Sequence, residues 1–266
     1  MRVSTGLRKE EMRILMINPN TSESFTASIQ SIADQFRLPT TEVVAVSPKS
    51  GPRSIESAYD ELLSAQPTIE TLIENQEDFD AFVLACYSDH PAIHAAREMT
   101  SKPVIGIMEA SLYTACMLGH RFSIVTTNDR WVPLLWDAIR RYGVAERCAS
   151  VRATSMPVLA LEGGGDQTVR ERVLDEARKA IEMDGADVVC LGCAGMAGLH
   201  AQLSGELGVP VVDGVAMAVK LMEALVGYGA RTSKKRAYAF PDGKELVRMP
   251  ILFLRPYGRG HEVAGR

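Results

Sequence analysis

Cys86 and Cys193 close apolar runs at matching places in two halves of the chain that read as copies of each other. The segment DAFVLACYSDHP (80–91) lies over ADVVCLGCAGM (186–196) with the two cysteines in register, 107 positions apart. KPVIGI (102–107) falls on VPVVDG (209–214) at the same spacing, and RILMINPN (13–20) falls on RFSIVTTN (121–128) at a spacing of 108. A period this long is not that of a solenoid and reads as a duplicated domain. Facing lobes would bring one thiol to each side of a cleft. A thiolate on one face of a bound carbon removes a proton and a thiol on the other face returns one, so the pair can act as two bases for one stereocentre. That chemistry needs a carbon acid weakened by an adjacent carbonyl, with backbone N–H groups at helix starts to stabilise the enolate. No GxxxxGK[ST] and no dinucleotide fingerprint is present to supply an electron sink, and the expected cofactor is none.

The elements that must position these thiols alternate between strand-length apolar runs and stretches of helical period, the pattern of a parallel sheet covered by helices. Strands are predicted at 13–18, 42–46, 81–86 and 103–108 in the first lobe, and at 121–127, 149–153, 187–192 and 210–212 in the second. SESFTASIQSIADQF, RWVPLLWDAIRRYG and TVRERVLDEARKAIEMDG read as helices, and the last two end in glycine, a common helix stop. The fold class is therefore α/β: two pseudo-symmetric duplicated lobes, each a short parallel sheet flanked by helices, with the active site in the cleft between them. The first lobe is expected to span 13–105 plus a returning helix and its sequel at about 214–240, the second 106–213, with 1–12 and 241–266 as terminal extensions. The ILFL run in the tail is expected to be a strand or a subunit contact.

In an open parallel sheet, ligands bind beyond the carboxyl ends of the strands. Both cysteines fall there, ahead of helices whose N-terminal N–H groups and dipoles are expected to lower the thiol pKa. Gly192 and Gly195 would let the backbone approach a ligand around Cys193. Asn18, Asn20 and Thr21 after the first strand, and Thr126, Thr127 and Asn128 after its counterpart, offer neutral donors and acceptors suited to a polar, largely uncharged substrate. Ser88, beside Cys86, and Ala194, beside Cys193, complete the predicted substrate contacts. Cys116, Cys148 and Cys190 read as small core residues. His90 and His94 stand four apart, but no third ligand is evident, so a capping or surface role is expected and no metal. Asp89 is the expected cap of the helix after Cys86. Glu109 and Asp213 follow equivalent strands and are expected to orient the lobes. Gly163, Gly164 and Gly165 follow a polar loop, which favours a connector over a phosphate loop.

At 266 residues the chain has room for two lobes with real cores. A net charge of −4 and a pI near 5.8, with no basic stripe, give no footprint for nucleic acid. No apolar stretch approaches the roughly 18 residues that span a bilayer, and the first residues carry no apolar core of a signal peptide. Five cysteines without a short-range pattern argue for a reducing compartment. These features lead to the expectation of a cytoplasmic protein acting on a small molecule, with neither nucleic-acid nor membrane partners; a homo-oligomer of unread size is expected as well.

INPNTSES, LACYSDHPAIHAARE, VIGIMEA, LGHRFSIVTTNDR, LGCAGM and VPVVDGVAMAVKLMEAL, followed by TSKKRAYAFP, resemble the hydantoin and allantoin racemases of the aspartate/glutamate racemase superfamily. The resemblance runs from about Arg13 to Pro241. It implies cofactor-independent 1,1-proton transfer at C5 of a hydantoin-type ring, with Cys86 and Cys193 as the two acid/base residues and Asn18, Asn20, Thr126 and Thr127 as polar contacts. One departure concerns the first cysteine segment: typical members read ACFGDPG, whereas this chain has Ser88 in place of the glycine. A hydroxyl is thereby added beside the thiol. Related cysteine folds isomerise maleate or decarboxylate arylmalonates, but those reactions want carboxylate-binding groups, and the decarboxylase only one thiol. A non-catalytic two-lobed binder gives no reason for matched thiols.

Overall fold

The computed structural model describes residues 11–164 and 167–257. Gly165 and the outermost parts of both terminal extensions lie outside the described residues.

The alternation of apolar runs and amphipathic stretches folds into two four-stranded parallel sheets. Met12–Ile17 (β1), Thr41–Val46 (β2), Ala81–Leu84 (β3) and Val104–Gly106 (β4) form the first, in the order β2-β1-β3-β4. Phe122–Thr126 (β5), Cys148–Ala153 (β6), Val188–Leu191 (β7) and Val211–Val212 (β8) form the second, in the equivalent order β6-β5-β7-β8. Ile17 pairs with Leu84 and Val125 with Leu191 at the carboxyl ends of the central strands. The duplication is thus one of topology as well as of sequence. Every residue of β3, β5 and β7 is buried, as a parallel sheet with helices on both faces requires.

Helices Glu23–Phe36 (α1), Ala58–Asn75 (α2), Pro91–Met99 (α3) and Ile107–Leu118 (α4) follow the strands of the first sheet. Trp131–Arg141 (α5), Gln167–Glu182 (α6), His200–Leu207 (α7) and Gly214–Tyr228 (α8) follow those of the second. Ser22 and Ser57 cap α1 and α2 by accepting from the amides of Phe25 and Asp60. The last helix of each half crosses to the other sheet: α4 packs against β5, β7 and β8, and α8 against β1, β3, β4 and α1, while α4 and α8 pack on each other. Both are apolar over most of their surface because each is covered on several sides.

Several elements differ from the sequence expectation. The strand predicted over 103–108 stops at Gly106, and Ile107 and Met108 open α4. The strands predicted to reach Cys86 and Gly192 end at Leu84 and Leu191, so the cysteines stand in the turns. The ILFL run is a short 3₁₀ segment, Ile251–Leu254, and not a strand; its Leu252 and Phe253 pack on the first lobe beside Leu72 and Ile73 of α2. Asp89 does not cap α3. His90 does, accepting from the Ala92 amide, with Pro91 at the first helical position. Among the described residues no helix is long and apolar enough to cross a membrane.

Candidate active site

Both cysteines open into one cavity at the carboxyl ends of the two sheets. The cavity itself has a volume of about 50 Å³ and opens to solvent, and its lining includes Asn20, Cys86, Thr126, Thr127, Cys193 and Ala194. All six are among the predicted site residues. Ala85 and Gly192, beside the cysteines, also line it, and the rest of the wall is four apolar or aromatic side chains, Ile55, Tyr87, Trp131 and Val158. Sequence reasoning missed these four. Ile55 and Val158 sit in irregular segments with no periodicity to mark them, and Trp131 reads as an ordinary apolar position of α5. An apolar side chain stranded in a polar loop was the available signal.

Five predicted contacts, Asn18, Thr21, Ser88, Asn128 and Gly195, do not line the cavity. The Asn18 amide nitrogen is 3.0 Å from both Asn20 Oδ1 and Thr26 Oγ1, and the residue is buried, so its donors hold the start of α1. Asn20 Oδ1 also accepts from the Ser22 amide, which leaves the Asn20 Nδ2 donors for a ligand. Gly195 is required by the protein itself, since a Cβ there would stand 2.7 Å from Leu161 Cβ; Gly192 does line the cavity, and a Cβ on it would stand 2.7 Å from the Val125 carbonyl oxygen. The Gly195 amide donates to the Cys193 sulfur. Ser88 is buried behind Cys86, with its Oγ 3.5 Å from Cys86 Sγ and 2.5 Å from Glu61 Oε1. The Thr126 hydroxyl donates to the Gly192 carbonyl at 3.1 Å and ties the end of β5 to the turn after β7.

The expectation of lowered thiol pKa values is overturned. Burial pushes the Cys86 thiol up to about 12, with the Glu61 carboxylate adding to the rise, the Ser88 hydroxyl opposing it, and Cys193 close enough to contribute. Burial also pushes Cys193 up to about 11, opposed by the Gly195 amide. The helix dipole does not compensate. Cys193 precedes only a three-residue 3₁₀ segment, Ala194–Met196, and Cys86 lies four residues ahead of the last residue before α3.

The segment read as a plain connector, around Gly163 and Gly164, is in part a 3₁₀ segment, Val158–Gly164, that closes the cavity from the second lobe. Its Glu162 accepts from Ser22 at 3.0 Å, from Ser24 at 3.1 Å and from Arg53 at 3.1 Å, forming a clasp between the lobes. His90 is fully buried and its Nε2 is 2.9 Å from Ser64 Oγ; His94 Nε2 is 2.9 Å from Asp89 Oδ1. The two imidazoles are engaged separately. Asp89 also accepts from Arg141 and Tyr142, Glu109 pairs with Arg97 at 2.6 Å, and Asp213 caps α8 while accepting from the Gly198 amide at 2.7 Å.

Residues 14–222, which carry the second sheet, all but the first two residues of the first, and the whole cavity, match the family described as Asp/Glu/Hydantoin racemase. The chain belongs to that family. This member of the Asp/Glu/hydantoin racemase family is 46% identical to a hydantoin racemase of Pseudomonas sp. (strain NS671) over 237 residues, covering 89% of this chain and 94% of that protein. It is also similar to two solved structures. Allantoin racemase from Klebsiella pneumoniae matches with a TM-score of 0.87 at 42% identity, over 92% of this chain and 99% of that one. Allantoin racemase from Pseudomonas fluorescens matches with a TM-score of 0.85 at 43% identity, over 89% of this chain and 100% of that one.

Proposed function

We propose that the protein is a cofactor-independent racemase acting at C5 of a hydantoin-type ring, either allantoin or a 5-substituted hydantoin, with Cys86 and Cys193 as its two bases. The observation that carries this reading is that the two thiols leave equivalent turns of two pseudo-symmetric sheets and open into one cavity. A thiolate on one side takes the C5 proton. The electrons of the broken C–H bond pass into the adjacent carbonyl as an enolate, and return to C5 as the opposite thiol delivers its proton to the other face. Asn20 Nδ2 and the Thr127 hydroxyl, both at the cavity, are the neutral groups available to hold the ring amide and the enolate oxygen. Thr126 and Gly195 act through the turns they brace, and Ala194 bounds the cavity beside Cys193.

The family membership supports the reaction class, and the relatives' names supply the ring type. The deciding experiment is polarimetry on single enantiomers of allantoin and of several 5-alkyl and 5-aryl hydantoins. Loss of optical rotation to zero, with no change in composition, is the expected result for at least one of them. Stable rotation across the whole panel, or release of carbon dioxide from an arylmalonate instead, would overturn the assignment.

A further inference from the structure

Cys86 is linked to a carboxylate that the two-thiol scheme does not use. Glu61 stands in the first turns of α2, and its Oε1 is 2.5 Å from Ser88 Oγ, which is itself 3.5 Å from Cys86 Sγ. Ser88 is 3% exposed and Glu61 is half-buried. A serine hydroxyl has one proton to give. Ser88 Oγ stands within donating reach of both the Glu61 carboxylate and the Cys86 sulfur, so its one proton can serve either; with that proton on the Glu61 side, in the range of a charge-assisted bond, the Ser88 oxygen is left to accept from the Cys86 thiol.

We propose that Cys86, Ser88 and Glu61 form a proton relay in which Glu61 stores the Cys86 proton, so that the thiolate forms without adding a net charge to the buried site. In the resting arrangement the Cys86 S–H faces Ser88 and the Ser88 O–H faces the Glu61 carboxylate. On activation the S–H bond breaks as its proton passes to the Ser88 oxygen, and the serine proton forms the O–H bond of a neutral Glu61 carboxyl. Ser88 then donates to the thiolate. One negative charge is present before and after, and its desolvation is not suffered twice. This role rests on the reading of Cys86 as an acid/base group above.

The surroundings suit a shared proton. Burial raises the Glu61 carboxyl above its ordinary range, the Ser88 hydroxyl opposes that rise, Asp89 adds to it and Arg141 opposes it. Asp89 in turn is held by His94, Tyr142 and Arg141 and stays anionic. One turn along α2, Ser64 bonds His90, whose burial holds its pKa to about 4 and keeps it neutral in the working range. Facing Cys86 from the second lobe is Cys193. Cys193 has a backbone amide as its partner, so the two thiols are chemically unequal.

The test is alkylation of Cys86 by iodoacetamide in the full-length protein, followed by mass spectrometry of the Cys86 peptide from about pH 5.5 to 8.5. Between the titration of Glu61 and that of Cys86 the relay holds one proton to share, and the fraction of it resting on Glu61 does not depend on pH. Wild-type reactivity should therefore change less than about twofold across the neutral range. Glu61→Gln keeps the acceptor for Ser88 but cannot store a proton, and its reactivity should fall about tenfold for each unit of pH lowered. Ser88→Ala should lose the plateau as well. A tenfold-per-unit slope in the wild type, or a plateau that survives either substitution, would overturn the relay. These profiles need no substrate. A wild type that shows the plateau but racemises no hydantoin would count against the function proposed above while upholding the relay.

Discussion

Gly214 and Ile107, the first residues of α8 and α4, meet so closely that a Cβ on Gly214 would stand 2.5 Å from the Ile107 carbonyl oxygen. They lie 107 positions apart, the spacing that also separates Cys193 from Cys86. The two halves therefore touch through equivalent residues at the starts of the helices that cross to the opposite sheets.

Gly214→Ala is expected to push the helix starts apart and to destabilise the protein by about 1–3 kcal/mol, as overpacking a close contact does. Urea denaturation would read the loss as a lower midpoint. An unchanged midpoint would show that the contact relaxes freely.

The clasp at Glu162 should govern access to the cavity. Glu162→Gln or Arg53→Ala is expected to raise KM several-fold with little change in kcat, and to speed amide hydrogen exchange in the segments around Ile55 and Val158. The Ser22 hydroxyl, with Ser24 and Arg53, holds the Glu162 carboxyl below its usual range. Its contribution is present above the carboxylate's unfolded pKa and is lost only as the pH falls through the depressed folded value. Exchange protection should thus be flat through neutrality and fail in acid. Protection unchanged in both variants would remove the clasp from the mechanism of entry.

The free Cys193 thiol, pushed up to about 11, should be almost wholly protonated near neutrality. Alkylation at Cys193 is expected to rise about tenfold per pH unit between about pH 7 and 9, because only the thiolate reacts. A reaction already level at pH 7 would mean a thiol poised by some group other than those facing it here.

Trp131 and Tyr87 supply the aromatic wall, and Ile55 and Val158 also line the cavity. Trp131→Ala should lower kcat/KM for a 5-benzyl hydantoin by about tenfold or more, and for allantoin by less, since only the former fills an apolar pocket. Equal losses on both substrates would place Trp131 in a structural role.

The fold was legible in the sequence because duplication and strand burial leave strong patterns: β3 and β7 are unbroken apolar runs, and each carries its cysteine two residues beyond its end. The cysteines, Asn20, Thr126, Thr127 and Ala194 were legible for the same reason, since they follow strands at the end where ligands bind. Ile55, Val158 and the Glu162 clasp were not, because irregular segments have no period and their approach to the cavity is decided by tertiary packing alone. Asn18 follows the same strand but does not line the cavity, because its amide is engaged by Asn20 and Thr26, a local use that residue type does not disclose. The thiol pKa values were misread because position after a strand says nothing of how deeply the sulfur is covered.

The most direct test of the two-thiol site is C5 proton exchange in deuterium oxide, followed by NMR on each enantiomer of an active hydantoin, with Cys86→Ser and Cys193→Ser. Racemisation should fall by about 10²–10⁴-fold in both variants, as loss of an acid/base group entails. Each should still exchange the C5 proton of one enantiomer, and the two variants should favour opposite ones. Racemisation at the parent rate in both, or exchange of the same enantiomer by both, would contradict a site in which the two sulfurs flank one carbon.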